Sequence, residues 1–334
     1  MKVFITGGAG FIGSHLAERL LRDGHSVLAL DDMTTGRMEN IEHLVGHERF
    51  DYRVGSVRDS PLVVELVDRC DVAVHLAAAV GVQLIVDRPT YTIETNVHGT
   101  EVLLDAVARK RKLTLIASTS EVYGKSPKIP FSEDDDLLLG NTANPRWSYA
   151  CSKALDECLA LAYHREKDVP VIVTRLFNTV GPRQTGRYGM VLPRFAAQAV
   201  RGEPLTVFGS GDQSRAFAHV EDVVESFLRL MATPAAVGEI FNVGSQEEVT
   251  IRRLAELVIE AADSPSEIVT LSYEEAYGQS FEDMHRRVPD TAKLRRAVGF
   301  APSTPLEQIV AGVVAEQRAR HEADLASPAL FSAA

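Results

Sequence analysis

The chain has little cysteine, no long apolar run and no excess of positive charge, and each shortage closes off a class of function. Three cysteines, Cys70, Cys151 and Cys158, are spread over 334 residues. Their odd number and the lack of any CxxC pair suggest neither a disulfide framework nor a zinc site, so buried free thiols and no bound metal are expected. No stretch approaches the roughly 20 apolar residues of a membrane-spanning helix, so no insertion into a bilayer is expected. The formal charge of −11 opposes non-specific binding to nucleic acid, and any phosphate site must be built locally. Met1 leads within one residue into an apolar strand and a glycine turn, without the regions of a secretory signal, and a cytoplasmic location is the expectation.

What is present is an alternation of apolar runs and helix-period segments. A run at 2–6, a glycine turn, a helical pattern through Phe11–Leu21 and a second run at 26–30 spell strand, helix, strand. Further runs at 71–76, 113–118 and 169–175 alternate with helical segments near 60–68, 91–110 and 147–166. The pattern predicts an α/β fold, a Rossmann doubly wound parallel sheet of six or seven strands with a smaller α/β substrate-binding domain. The reading divides the chain into a dinucleotide-binding part at 1–178, joined by segments near 212–245, a second part mainly at 179–322, and a tail at 323–334. In the second part a helix is expected at 190–201, strands near 205–208 and 240–243, and helices near 251–261 and 305–319.

The turn between the first strand and helix holds Gly7, Gly10 and Gly13, with Phe11 and Ile12 between the last two. Each missing Cβ has a use there: a tight turn, close approach of a pyrophosphate, and close helix-to-strand packing, with the helix N-terminus facing the phosphates. Asp31 ends the second strand eighteen positions beyond Gly13, where a carboxylate accepts the adenosine ribose hydroxyls and repels a 2′-phosphate. This favours NAD over NADP. Asp32 either shares that role or caps the loop. Tyr149 and Lys153 are four apart, hence on one helical face, so the ammonium can lie near the phenol and favour the phenolate, giving a general base.

The GxxGxxG spacing within TGGAGFIGSHL, followed by VHLAA at 74–78, TNVHGT at 95–100, STSEVYG at 118–124, YACSK at 149–153 and RLFNTVGPR at 175–183, resembles the extended short-chain dehydrogenases/reductases that act as nucleotide-sugar epimerases, dehydratases and decarboxylases. The resemblance runs nearly the whole length. It implies that Leu76, Ala77, Ala78 and Asn96 lie against the cofactor. Relatives often carry Asp where Ser56 stands, so Ser56 and Val57 are the expected adenine contacts. It also implies that Tyr149 takes the proton of a sugar 4-hydroxyl while hydride leaves C4 for NAD. Thr119 bonds the same oxygen, or merely caps backbone at a strand end.

Ser120 and Glu121 bear on the fate of the ketone. Dehydratases of the family carry Asp-Glu here, and Ser120 is a poor acid, so dehydration is disfavoured. Glu121 before VYG is similar to the TSE motif of UDP-glucuronate decarboxylases, whereas AAAVGVQ at 77–83 is similar to epimerases. Arg187 and Arg194 are candidates to grip a sugar carboxylate, or are solvated surface residues. Arg183 supports the fold or a diphosphate. Asn178 is expected near the diphosphate, Arg215 on a phosphate or in a structural ion pair, Val207 in the strand that pairs with a uracil, and Arg287 with Asp283 near the nucleotide ribose. His75 and His219 read as structural. The leading expectation is 4-epimerisation of UDP-glucuronate or UDP-glucose, with UDP-glucuronate decarboxylation as the alternative and a catalytically silent NAD-binding regulator behind both. The resemblance further implies a homodimer formed through the helices near 91–110 and 147–166.

Overall fold

The computed structural model describes residues 1–186, 190–272, 275, 284 and 286–326. Six parallel strands, β1 (Lys2–Thr6), β2 (Ser26–Asp31), β3 (Phe50–Val54), β4 (Val72–His75), β5 (Leu113–Thr119) and β6 (Val171–Leu176), form one sheet with a seventh, Ile240–Val243, at the β6 edge. Across the sheet the order is Ile240–Val243, β6, β5, β4, β1, β2, β3.

Alternation along β1 shows why the sheet reads as unbroken apolar runs. Val3 and Ile5 pack on one face with Leu16, Leu20 and Phe227, from α1 (Phe11–Arg22) and the helix Val220–Met231. Phe4 packs on the other face with Val63, Leu103 and Ala160, from α2 (Ser60–Asp68), α4 (Pro89–Ala108) and α5 (Ser148–Lys167), with α3 (Val82–Asp87) lying between α2 and α4 in the chain. With helices on both faces, most positions of the central strands are buried. The edge strand β3 escapes such a reading because only Phe50 of its five residues is buried and Arg53 faces solvent, a polar pattern suited to an open edge.

A third core joins α6 (Val191–Val200), the helices Ile251–Ala262 and Leu306–Ala326, and the parallel strand pair Leu205–Phe208 with Ile268–Leu271. The segment after Leu205–Phe208 crosses back: Val220–Met231 packs on α1, and Ile240–Val243 pairs with β6. The last helix continues through Ala326, past the expected start of the tail, and the residues beyond it lie outside the described part. Among the described residues no helix is long and apolar enough to cross a membrane. β1 is followed by β2 on one side and paired with β4 on the other, so the crevice of the doubly wound sheet opens at their carboxyl ends.

Candidate active site

That crevice is a cavity of about 440 Å³ running from the glycine turn to α6 and the strand Leu205–Phe208. At one end Gly7 has φ +73°, and a Cβ there would sit 2.8 Å from the Ala77 nitrogen. A Cβ on Gly13 would meet the Gly7 carbonyl oxygen at 2.1 Å, so α1 can lie this close to the turn only with glycine there. Gly13→Ala is expected to cost about 1–3 kcal/mol, read as a lower denaturant midpoint. Gly10 caps α1 with extended backbone and no side-chain bond, which leaves the helix amides facing the cavity with Phe11 and Ile12.

Asp31 lines the cavity and accepts the Ala9 amide at 3.0 Å and the Met33 amide at 2.9 Å, one on each oxygen. Burial raises its pKa and those amides oppose the rise. Gly36 allows the loop to lie over this carboxylate, since a Cβ there would be 2.5 Å from it. Asp32 lines the cavity while capping the Thr34 amide at 2.9 Å.

Val57, Leu76, Ala77 and Ala78 line the same end. Two expected cofactor contacts lie elsewhere. Ser56 is not in the cavity wall; its hydroxyl accepts the Arg58 amide at 3.2 Å and shapes the turn. Asn96 is fully buried behind the wall, where it accepts the Ala79 amide and donates to the Ser152 hydroxyl, so it positions the wall.

At the reacting end stand Thr119, Ser120, Glu121 and Tyr149. The strand β5 ends at Thr119, and the short turn Ser120–Tyr123 presents Glu121 to the N-terminal turn of α5, which carries Tyr149. Tyr149 is held protonated in the protein alone. Burial first, then the charge of Glu121, pushes its pKa above the ordinary tyrosine value, with the Thr119 hydrogen bond opposing.

The Lys153 ammonium is buried and pairs with Asp156 at 2.8 Å, one turn further along its own helix. A buried ammonium takes the nearest carboxylate, and a charged partner offsets desolvation better than a neutral hydroxyl. Nearby, His75 bonds the Thr6 and Thr100 hydroxyls at 2.7 and 3.1 Å, and burial, with Lys153 adding to it, depresses its pKa to about 3. His75 therefore stays neutral in the fold, and stability present above pH ~6.5 is lost as pH falls toward 3, at up to about 1.4 kcal/mol per unit. His75→Gln is expected to flatten that acid slope in denaturant titrations.

Glu121 is ionised. Burial works against its charge, but Arg146 holds Oε2 and Arg287 holds Oε1, at 3.3 Å, and together they keep its pKa below the usual carboxylate value. Arg287 also donates to the Asn178 Oδ1, while the Asn178 amide donates to the Ala216 carbonyl at 3.0 Å. Arg287, expected near a nucleotide ribose, stands in the cavity wall against Glu121.

Arg146 was not among the residues expected from sequence. Only its position three before Tyr149 marks it, and its partner is 25 residues away in the chain. Arg194 lines the cavity, donates to the Thr206 carbonyl at 2.9 Å and stacks over Phe208 at 4.2 Å. Arg215 is buried in the wall and donates to the Ser214 carbonyl at 2.8 Å. The Val207 side chain is in the second-lobe core and its neighbour Phe208 lines the cavity, because alternate strand positions face opposite ways. Arg183 links α1 to the last helix through Glu18 at 2.6 Å and, by its amide, Glu316 at 2.7 Å. His219 caps its helix. Arg187 and Asp283 lie outside the described residues. Among the described residues no His, Cys, Asp or Glu group is arranged to hold a metal ion.

The family model described as GDP-mannose 4,6 dehydratase matches residues 4–313. The chain belongs to this family of NAD-dependent nucleotide-sugar epimerases and dehydratases. This family member is 42% identical, over 92% of its length and 94% of the other chain, to a UDP-N-acetyl-alpha-D-glucosaminuronate decarboxylase of Bacillus cytotoxicus. It is 38% identical to UDP-glucuronic acid decarboxylase 1 of Xenopus tropicalis, over 92% of its own length and 70% of that chain. Among solved structures it is similar to a UDP-glucuronic acid 4-epimerase from Bacillus cereus in complex with UDP-glucuronic acid and NAD, with a TM-score of 0.86 and 25% identity over 96% of this chain and 100% of that one.

Proposed function

We propose that this enzyme decarboxylates a UDP-linked hexuronic acid, using one bound NAD, and releases carbon dioxide and a UDP-pentose. The observation that carries the reading is Arg287, which reaches from the second lobe to Glu121 beside Tyr149 and so puts a cation where a sugar carboxylate would have to be held. The similarity to two uronate decarboxylases supports it. The order of the two readings from sequence is thereby reversed, with epimerisation second.

The dinucleotide fits the first lobe: glycine backbone open to the cavity, helix amides for the phosphates, and the Asp31 carboxylate for ribose hydroxyls. Bound there, NAD would supply the hydride acceptor for the sugar C4 and, once reduced, the hydride donor that restores it. Thr119 and Tyr149 bind the 4-hydroxyl, and Tyr149 takes its proton, with Arg287 favouring the phenolate against the field of Glu121. With C4 oxidised, the C5 carboxylate is β to a ketone. Its C–C bond breaks when aligned with the carbonyl π system, the electron pair passes toward the C4 oxygen where Tyr149 donates its proton, and a proton from solvent replaces carbon dioxide at C5. Arg287 sets that alignment. In the second lobe, mainly 179–322, Arg194 stacked on Phe208 and the buried Arg215 form the wall assigned to the uridine diphosphate.

The test is to incubate NAD-loaded enzyme separately with UDP-glucuronate, UDP-N-acetylglucosaminuronate and UDP-glucose, and to identify products by NMR and mass. Loss of carbon dioxide from either uronate is expected. A product of unchanged mass with inverted C4 replaces this reading with epimerisation, which the small residues Ala77, Ala78, Ala79 and Gly81 in the cavity wall would favour by leaving room for a ketose to turn.

We also infer a homodimer through α4 and α5. Ile93 and Leu155 are exposed on these adjacent helices and border an apolar groove with Val97, Trp147 and Cys151. A two-fold axis here buries the same patch on both copies. Light scattering is expected to give twice the chain mass, and Leu155→Glu to give the monomer.

A further inference from the structure

Glu121 presents a problem of charge. It is buried, and its carboxylate oxygens are shared between Arg146, from the short turn Pro145–Trp147 that leads into α5, and Arg287, from the second lobe. If Arg287 is to receive an anionic substrate group, it must turn partly away from Glu121. A buried carboxylate that loses its only cation is strongly penalised. Arg146 removes this penalty. Its side chain is 4% exposed and lies against Trp147, and its turn runs directly into the helix turn that carries Tyr149.

We propose that Arg146 is a positioning residue for the reaction: it keeps Glu121 fixed and charge-compensated beside Tyr149, so that Arg287 can engage the anionic group of the substrate. The groups that face Tyr149 are Thr119 from β5, Glu121 from the following turn, Arg287 from the second lobe, and Lys153 with Asp156 from α5, while His75 in β4 lies near Lys153. Glu121 and Asp156 oppose ionisation of the phenol, and Arg287 favours it. Arg146 acts on it through Glu121, by holding the carboxylate at the turn that leads into α5 and sharing its charge. The inference rests on Tyr149 as the base, a role common to decarboxylation and epimerisation, and not on the fate of the carboxylate.

The test uses the NAD-loaded enzyme. Phenolate absorbance of Tyr149, isolated by subtracting a Tyr149→Phe control over a range of pH, needs no turnover. Arg146→Gln is expected to raise its midpoint by about one unit. Arg146→Lys, which keeps the charge, is expected to leave the midpoint in place. Glu121→Gln is expected to lower it, and to erase any further effect of Arg146→Gln. Binding of UDP-glucuronate, measured by calorimetry, is expected to weaken about tenfold in Arg146→Gln while UDP binds as before. An unchanged midpoint in Arg146→Gln, or an equal shift in the Glu121→Gln background, overturns the inference. Should Arg146→Gln not fold, an unmoved midpoint in Glu121→Gln alone overturns it, because Glu121 would then exert no field for Arg146 to share. An enzyme that releases no carbon dioxide from any uronate would count against the decarboxylase reading and leave the phenolate measurement standing.

Discussion

Tyr149→Phe is expected to lower kcat by roughly two to four orders of magnitude while leaving folding and NAD affinity close to those of the parent enzyme. The phenol combines a hydrogen bond to Thr119 with burial at the reacting end, and its ring packs without its oxygen, so phenylalanine preserves shape and removes only the proton carrier. The pH dependence has a definite sign. Because burial and Glu121 raise the phenol above its ordinary value, activity that requires phenolate is lost as pH falls through the midpoint in the loaded enzyme. The pH profile of kcat checks this: an acidic limb is expected in the parent, and a flat residual rate in Tyr149→Phe. Retained turnover in the phenylalanine variant would remove Tyr149 from the mechanism, whatever the product.

Arg287→Gln carries the second large effect. The change takes a cation from Glu121 and a donor from Asn178, and it removes the group assigned to the sugar carboxylate. Losing one partner of a buried charged contact costs about 2–4 kcal/mol, so kcat/KM for a UDP-uronate is expected to fall roughly 30- to 10³-fold. Affinity for UDP-glucose, which has no carboxylate, is expected to change much less. Steady-state kinetics with the uronate and calorimetry with UDP-glucose separate the two. A variant that still releases carbon dioxide within tenfold of the parent rate would place the carboxylate grip on another residue.

Much of the first lobe was legible in the chain because its information is local. Gly7, Gly10 and Gly13 are close in sequence and do their work within one turn and the start of one helix, so spacing alone conveys the cradle. The central strands read clearly because burial on both faces makes them continuous apolar runs, whereas β3, at an exposed edge, has no such signature. Tyr149 and Lys153 share a helix and could be paired by arithmetic, but the same arithmetic could not show that Lys153 bonds Asp156, because helix spacing allows either neighbour and only burial selects the carboxylate. Ser56 and Asn96 fit a motif, yet the Ser56 hydroxyl holds the Arg58 amide in its own turn and Asn96 holds the Ala79 amide and the Ser152 hydroxyl.

The sequence by itself carried the alternation of the doubly wound fold, the dinucleotide cradle, and separately the run Thr119, Ser120, Glu121 and the helical pair Tyr149 and Lys153, since each depends on residues adjacent in the chain or one helical turn apart. That the run meets Tyr149, 28 positions beyond Glu121, is tertiary. The tertiary structure alone decided the charge arrangement around Glu121. Arg146 lies 25 positions away and Arg287 lies 166 positions away, in a lobe that reaches the site only after the chain has crossed back through Ile240–Val243. Ionic contacts at such separations leave no periodicity in a sequence. The balance between epimerisation and decarboxylation rests on that arrangement, because the two reactions share one ketone and differ in how the carboxylate beside it is held.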